Sequence, residues 1–386
     1  MRKCLVVALL LYILLMPGIS FAAQPGGEEK PAADLDMGEI NRYIERLDSE
    51  VKGVMPDVNF KELVYKIARN EISFKPQDIA KNVTAYVFRE VVANSSLLGK
   101  LIILAIICAV LQNLTSAFDR GSTGQLSYMV TYLVLVTLAI GSFTLAVEAG
   151  REAVDRMVTF MQAILPVLLT LLVAVGGFTA AAIYQPGLFV SITLIATIIR
   201  NVILPLILFS AILGLVSNLS PKFKVSNLAG LFKTVAMGLL GLMSTVFMGL
   251  LSIQGVAGAV GDSVVLRTAK FATDAFVPVV GGMFSDALEA IVSSSLLIKN
   301  ALGIAGVIVV LYVMLMPLLK IFCLAFIYKL AGALIQPVED GQMVSCLNDL
   351  GNSLILVFAV VATAGLLFFF AMTILVAVGN LTVMLR

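Results

Sequence analysis

Leu188 to Val216 reads LFVSITLIATIIRNVILPLILFSAILGLV. Almost every residue is apolar, yet Arg200, Asn201 and Pro205 sit in its middle. As a helix rising 1.5 Å per residue, this stretch is much longer than the ~30 Å hydrocarbon core of a bilayer requires. A second stretch of the same kind runs from Ala301 to Ile335 and is interrupted by Pro317, Lys320 and Lys329. Only a chain whose solvent is lipid carries such runs, so the expected fold is an all-α, polytopic transmembrane helix bundle.

Working outward, further spans are expected from Leu101 to Leu114 (its start reaching back to Leu97), Tyr128 to Val147, Met157 to Val175, Val235 to Ile253 and Leu354 to Val378. Gly176-Gly177 ends the third of these seven spans, and either over-long stretch divides naturally into two short ones. Seven spans counted from an external N-terminal region leave Arg386 in the cytoplasm. They also leave Lys222, Lys224 and Lys233 outside, a poor fit to the positive-inside rule. A break at Arg200-Asn201 would move those lysines inside.

Composition agrees with a membrane protein. Of 386 residues 60% are hydrophobic and 13% charged, against about 45–50% and about 25% in soluble domains. A net charge of +2 gives no case for nucleic acid. Thirteen of the 24 acidic residues, Glu28 to Glu90, precede residue 101. A polar N-terminal region therefore precedes a membrane domain over 97–386.

Arg2 and Lys3, the apolar run Leu5 to Met16, and Ser20-Phe21-Ala22 form a signal peptide over residues 1–22. Its apolar run is short for a full span, which favours cleavage over an uncleaved anchor. Residues 23–96 are then an extracytoplasmic linker, Pro-, Gly- and Glu-rich at its start, followed by short amphipathic helices. Ile40, Tyr43, Ile44, Leu47, Val51 and Val54 mark the first, closed by Pro56. Phe60, Leu63, Val64 and Ile67 mark the second, and Ile79, Val83, Val87 and Val91 the third. A self-packed cap and a docking module both fit these helices.

Histidine is absent, which removes the commonest general base and metal ligand. Cys108, Cys323 and Cys346 lack CxxC spacing and read as small packed hydrophobes. No Walker motif, GxGxxG or nucleophile elbow occurs. Neither an enzyme nor a bound cofactor or metal is expected.

The candidate pathway or interface residues are Arg200, Asn201, Pro205, Pro317 and Lys320. Charges inside apolar runs either line a polar cavity, bind lipid phosphate or an anionic partner, or snorkel to the interface. Every Asp and Glu is expected before or between the spans, which weakens an ion-coupled permease. Gly255, Gly258 and Gly261 recur every third residue, a helix-packing pattern. The half-apolar stretch Val260 to Lys299 suggests interfacial amphipathic helices, a re-entrant segment or an ordinary loop. Pro166 and Pro278, and likewise Pro205 and Pro317, are offset by 112 (278 − 166; 317 − 205), which suggests an internal repeat. Coincidence also remains open, because apolar tetrapeptides containing Pro are common in such a chain.

Several polar-in-apolar strings carry a more specific likeness: Leu97-Leu98-Gly99-Lys100-Leu101, Val265-Leu266-Arg267-Thr268-Ala269-Lys270-Phe271, Phe276-Val277-Pro278-Val279-Val280-Gly281, Leu296-Leu297-Ile298-Lys299-Asn300-Ala301 and Gly379 to Arg386. Through them the chain resembles the stage III sporulation protein AE family of endospore-forming bacteria over nearly its whole length, and least in the linker. The resemblance implies a mother-cell membrane subunit of the complex that joins mother cell and forespore by a secretion-like channel or feeding tube. It implies other subunits as partners, a separate ATPase among them, and no catalytic residues. An independent solute permease and a passive scaffold are the alternatives.

If the signal peptide is cleaved, intact-mass or N-terminal analysis of the membrane-extracted protein will show a chain starting at Ala23 or Gln24. A chain that keeps Leu5 to Met16 would instead identify an anchor.

Overall fold

The computed structural model describes residues 60–69, 71, 76–117, 122–219, 225–276, 281–337 and 342–384. The signal peptide, the linker and the expected helix over residues 40–54 lie outside them, as do Lys222, Lys224 and Pro278. Nine α-helices are described: α1 (Phe60–Ala68), α2 (Pro76–Ala93), α3 (Ser95–Ala117), α4 (Ser122–Ala174), α5 (Phe178–Ile198), α6 (Leu204–Leu219), α7 (Ser226–Phe276), α8 (Gly281–Ile335) and α9 (Gln342–Met384). A π-helical turn, Ile199–Ile203, joins α5 to α6. The architecture is all-α, as the apolar runs require.

Five stretches are long and apolar enough to cross a membrane: Tyr132–Ala174, Phe178–Ser217, Ser226–Gly255, Val292–Ile335 and Gln342–Asn380. The spans expected over Tyr128–Val147 and Met157–Val175 are two parts of one helix. The charged residues Glu148 to Arg156 do not interrupt α4, because they pair along it: Arg151 with Glu148 at 3.7 Å, and Arg156 with Glu152. Pairs three and four residues apart are neighbours on a helix surface. Of the two over-long stretches, 188–216 passes through the π turn and 301–335 is α-helical throughout, including Pro317. The two prolines matched at an offset of 112, Pro205 and Pro317, thus sit in different local structures. Val260 to Phe276 simply continues α7.

The turn between α4 and α5 is a Schellman motif. Gly177 N–H donates to Leu172 O and Gly176 N–H to Val173 O, each at 2.9 Å, with Gly176 at φ 92°. Only glycine adopts that angle without strain. α5 and α6 then return antiparallel to α4: Gln162 meets Thr193 at 3.2 Å, and Tyr132 Oη donates to Leu215 O. Ser210 Oγ donates to Ala229 O, so α7 reverses direction again.

α8 and α9 form the central antiparallel pair. Glycines on each helix receive the side chains of the other in constant register. Gly303 faces Val376, Gly306 faces Met372, and Gly365 faces Met314. A Cβ at any of the three would overlap the facing side chain. α4 runs against both helices. Gly150 lies against Val361 and Val357 of α9 and Ile321 of α8, and Ser142 hydrogen-bonds Tyr328. One end of the bundle is therefore where α6 and α8 finish and α4, α7 and α9 begin. The second end is where α4 and α7 finish and α5 and α8 begin.

The described N-terminal helices pack on the bundle. Phe60 is fully buried with its ring 6.4 Å from that of Phe160, and Cys323 Sγ donates to Val87 O at 3.7 Å. Cys323 and Cys346 are free and buried. Gly306→Leu should lower stability by about 1–3 kcal/mol through overpacking. A thiol-reactive dye that lights up as Cys323 and Cys346 become exposed on heating would report it. Gly141→Leu, where a Cβ meets nothing within 4 Å, should leave the transition unchanged.

Candidate functional site

Arg200 lies in the π turn. Pro205 has no N–H to give, and its ring would press on the carbonyl four residues earlier in a regular helix. The backbone answers with a wider turn, in which Leu204 N–H reaches Ile199 O, five residues back. That turn sends Arg200 toward α4. Its Nη1 lies 3.2 Å from Asp155 Oδ1, and its Nε donates to Asn201 Oδ1 at 3.3 Å. Asp155 continues the pairs of Glu148, Arg151, Glu152 and Arg156, so a band of charge crosses the middle of the bundle.

Lys320 is exposed on α8. Its neighbour Ile321 touches the position of Gly150 on α4, and Pro317 lies one turn away. Lys320 and Pro317 thus fall near the level of Gly150 on α4 and Arg200 near that of Asp155, and Arg200 hydrogen-bonds its neighbour Asn201. The expected break between two spans at Glu148 to Arg156 is instead continuous helix. Glu148, Glu152 and Asp155 lie inside the continuous apolar helix α4. The sequence hid this because a charged run between two apolar runs reads as a loop, and only helix continuity turns it into a band.

A second polar group sits at the other end of the bundle. Lys299 is fully buried. Its Nζ donates to Leu375 O at 3.2 Å and to Val376 O at 3.0 Å. It occupies the notch left by Gly379, where any Cβ would collide with it. Asp262, also fully buried, accepts from the N–H groups of Thr179 at 2.6 Å and Ala180 at 3.2 Å. It caps the N-terminus of α5 from a different helix, where unpaired N–H groups and the helix dipole favour a negative charge. In the sequence both fall in the half-apolar stretch Val260 to Lys299, where nothing marks their partners.

Gly255, Gly258 and Gly261 lie along the contact of α7 with the start of α5. Added Cβ atoms would meet Tyr184 Oη at 3.1 Å, Ala180 Cβ at 2.8 Å and Thr179 Cγ2 at 2.8 Å. Gly187 on α5 accommodates Gln254 of α7 in return. The third glycine brings its neighbour Asp262 up to the cap.

The chain matches the family described as Stage III sporulation protein AE over residues 58–379. It is also similar to the stage III sporulation protein AE of Bacillus subtilis (strain 168): 38% identity over 358 residues, covering 93% of this chain and 90% of that protein. The chain belongs to the stage III sporulation protein AE family. No solved structure matches it. The family match takes in α1 to α8, the π turn, the charged band and the Lys299–Gly379 notch.

Asp262→Ala should cost about 0.5–2 kcal/mol, the usual range for a lost N-cap, and Asp262→Asn less. Both changes would be read in the thiol-dye transition. An unchanged transition for Asp262→Ala would remove the cap from the forces that hold α5.

Proposed function

We propose that the chain is a multi-pass subunit in the mother-cell membrane of a channel complex joining mother cell and forespore, where it forms or supports the export path for forespore development. The observation that carries this reading is the likeness to a stage III sporulation protein across 93% of the chain. The architecture suits a subunit better than a free-standing bundle. α8, with 55 residues, is roughly 80 Å long at 1.5 Å per residue, more than one ~30 Å hydrocarbon core occupies. The charged band divides that length. Exposed charges at the centre of hydrocarbon cost about 2.5–3.5 kcal/mol each, which favours the band at an aqueous boundary.

Orientation follows from the same helices. With the N-terminal region outside and α3 crossing inward, the end where α4, α7 and α9 begin is cytoplasmic. The end of α6 and the start of α7, with Lys233, then lie on the cytoplasmic side, as the positive-inside rule favours. The fusion of two expected spans into α4 is what moves them there. The C-terminus lies outside in this reading. In this reading a separate ATPase is among the partners, as the resemblance to the family implies.

A specific observation favours a second reading. Asp155 and Arg200 form an ion pair within stretches apolar enough to cross a membrane, the kind of site an independent solute permease uses.

The test is deletion of the gene under sporulation conditions. Time-lapse microscopy would follow forespore volume and a late forespore reporter. Small, collapsing forespores with a silent reporter, restored by the wild-type gene, are expected. Normal spores would overturn the channel reading. Asp155→Asn and Arg200→Gln in the complemented strain separate path from scaffold: loss of the reporter with the protein still in the complex indicates a path, and a normal reporter a scaffold. Transport of a defined solute by the purified chain alone would favour the permease.

A further inference from the structure

Between Leu145 and Val173, α4 exposes no large apolar side chain. Its exposed residues over that stretch are Glu148, Glu152, Arg156, Thr159, Pro166 and Thr170. Part-exposed Gln162 fills the longest interval, so the row advances by three or four residues throughout and keeps to one helix face. From Glu148 to Thr170 the face runs roughly 33 Å at 1.5 Å per residue, close to the thickness of a hydrocarbon core. All of it lies inside Tyr132–Ala174, a stretch apolar enough as a whole to cross a membrane. The apolar residues that make it so are turned inward: Phe160, Met161, Ile164, Leu165 and Leu168 are buried.

α5 and the π turn widen the face. Gln162 Nε2 donates to Thr193 Oγ1 at 3.2 Å, and Arg200 Nη1 lies 3.2 Å from Asp155 Oδ1, with Thr197 exposed between these two bridges. The hydroxyls of Thr159, Thr170, Thr193 and Thr197 donate to carbonyls of their own helices at 2.7–3.0 Å, which leaves their oxygens as acceptors. Other sides of the bundle are apolar at this same level. The Gln162–Thr193 bond sets Phe189, Val190 and Leu194 of α5 beside the middle of the face, and all three are exposed. Gly306 of α8 lies against Ile164, and Ile304, two residues away, is exposed. Such surface belongs in lipid, so the polar face of α4 stands at a level that lipid surrounds.

We propose that the outer face of α4, from Glu148 to Thr170, lines a water-filled path through the membrane. Lipid on this face would strip water from two carboxylates, a guanidinium and two threonine hydroxyls, at the cost intramembrane polar groups carry. A docked protein fits poorly, because the centre of an interface is rich in aromatic side chains and Met and poor in charge. This face exposes no aromatic, Leu or Met, and its charges gather at one end. Water serves every group on it. The Asp155–Arg200 pair then stands near one end of the path, and the threonines line its length. This inference deepens the export-path reading above and rests on it for what the path carries, which the lining restricts to hydrophilic cargo.

Single added cysteines test it in the full-length chain with Cys108→Ala as background, in open membrane fragments from sporulating cells. The probe is a charged, membrane-impermeant maleimide. Thr159→Cys and Thr170→Cys should label at least about ten-fold faster than Val190→Cys and Leu194→Cys, because water favours the reactive thiolate. In SDS all four should label alike, and a wild-type gel-filtration profile in mild detergent shows that each variant folds. Equal rates at the four positions in membranes would overturn the proposal: fast rates would place this level outside lipid, and slow rates would mean that the α4 face is covered. Slow labelling of Thr159→Cys that turns fast once the purified chain is in phospholipid liposomes would give the face to a protein partner, and would overturn it too. Fast labelling on α4 with normal spores in the deletion strain would keep the water-filled path and discard its sporulation role. Slow labelling with collapsing forespores would do the reverse.

Discussion

Close approach of α8 and α9 through glycine is the constraint on which the rest of the bundle depends. Lipid tails are as apolar as the helix surfaces, so burying apolar area from water gives no net pull between helices in a membrane. What remains is dispersion contact, which falls steeply with distance. Gly303, Gly306 and Gly365 let the pair close until Val376, Met372 and Met314 fill the space a Cβ would take. The same device recurs where polar atoms must be hidden. Gly379 receives the Lys299 ammonium, and a Cβ added at Gly351 would lie 3.1–3.3 Å from the Lys329 methylenes. The pair is pinned toward both ends by a lysine seated over a glycine, and α4 closes on it through Gly150.

The charged band and the buried polar group solve opposite problems. Glu148, Arg151, Glu152, Asp155, Arg156 and Arg200 are partly or largely exposed, and they pair along α4 or across to the π turn. Such pairs add little stability in water. Asp262 and Lys299, fully out of solvent, are answered by backbone groups. Asp262 sits at the N-terminus of α5, and Lys299 meets carbonyls near the end of α9. These bonds tie α7 to the start of α5 and α8 to α9.

Hydropathy alone sufficed for the helical class and for the presence of several apolar helices able to cross a membrane, because a run of some twenty apolar residues has no stable alternative to a helix in lipid. The family was also legible, in short polar strings embedded in apolar sequence that composition does not generate by chance. Span boundaries were not. A charged run such as Glu148 to Arg156 reads as a loop, since the sequence does not say whether its charges find partners three and four residues along one helix. Arg200 and Pro205 likewise read as a break, and became a π turn within a continuous rod.

The sequence by itself determined that this protein carries several membrane-spanning helices, that its glycines recur at helical spacing, and that Arg200 and Lys320 interrupt apolar runs. Tertiary structure alone decided which glycines are filled and which lie open, and that Asp155 is the partner of Arg200. It also decided that Lys299 and Asp262 are buried. The physical reason is that periodicity tells which residues share a helix face, whereas the partner of a face depends on how helices far apart in sequence come to lie side by side. No local property of the chain encodes that choice until the backbones are close enough to touch.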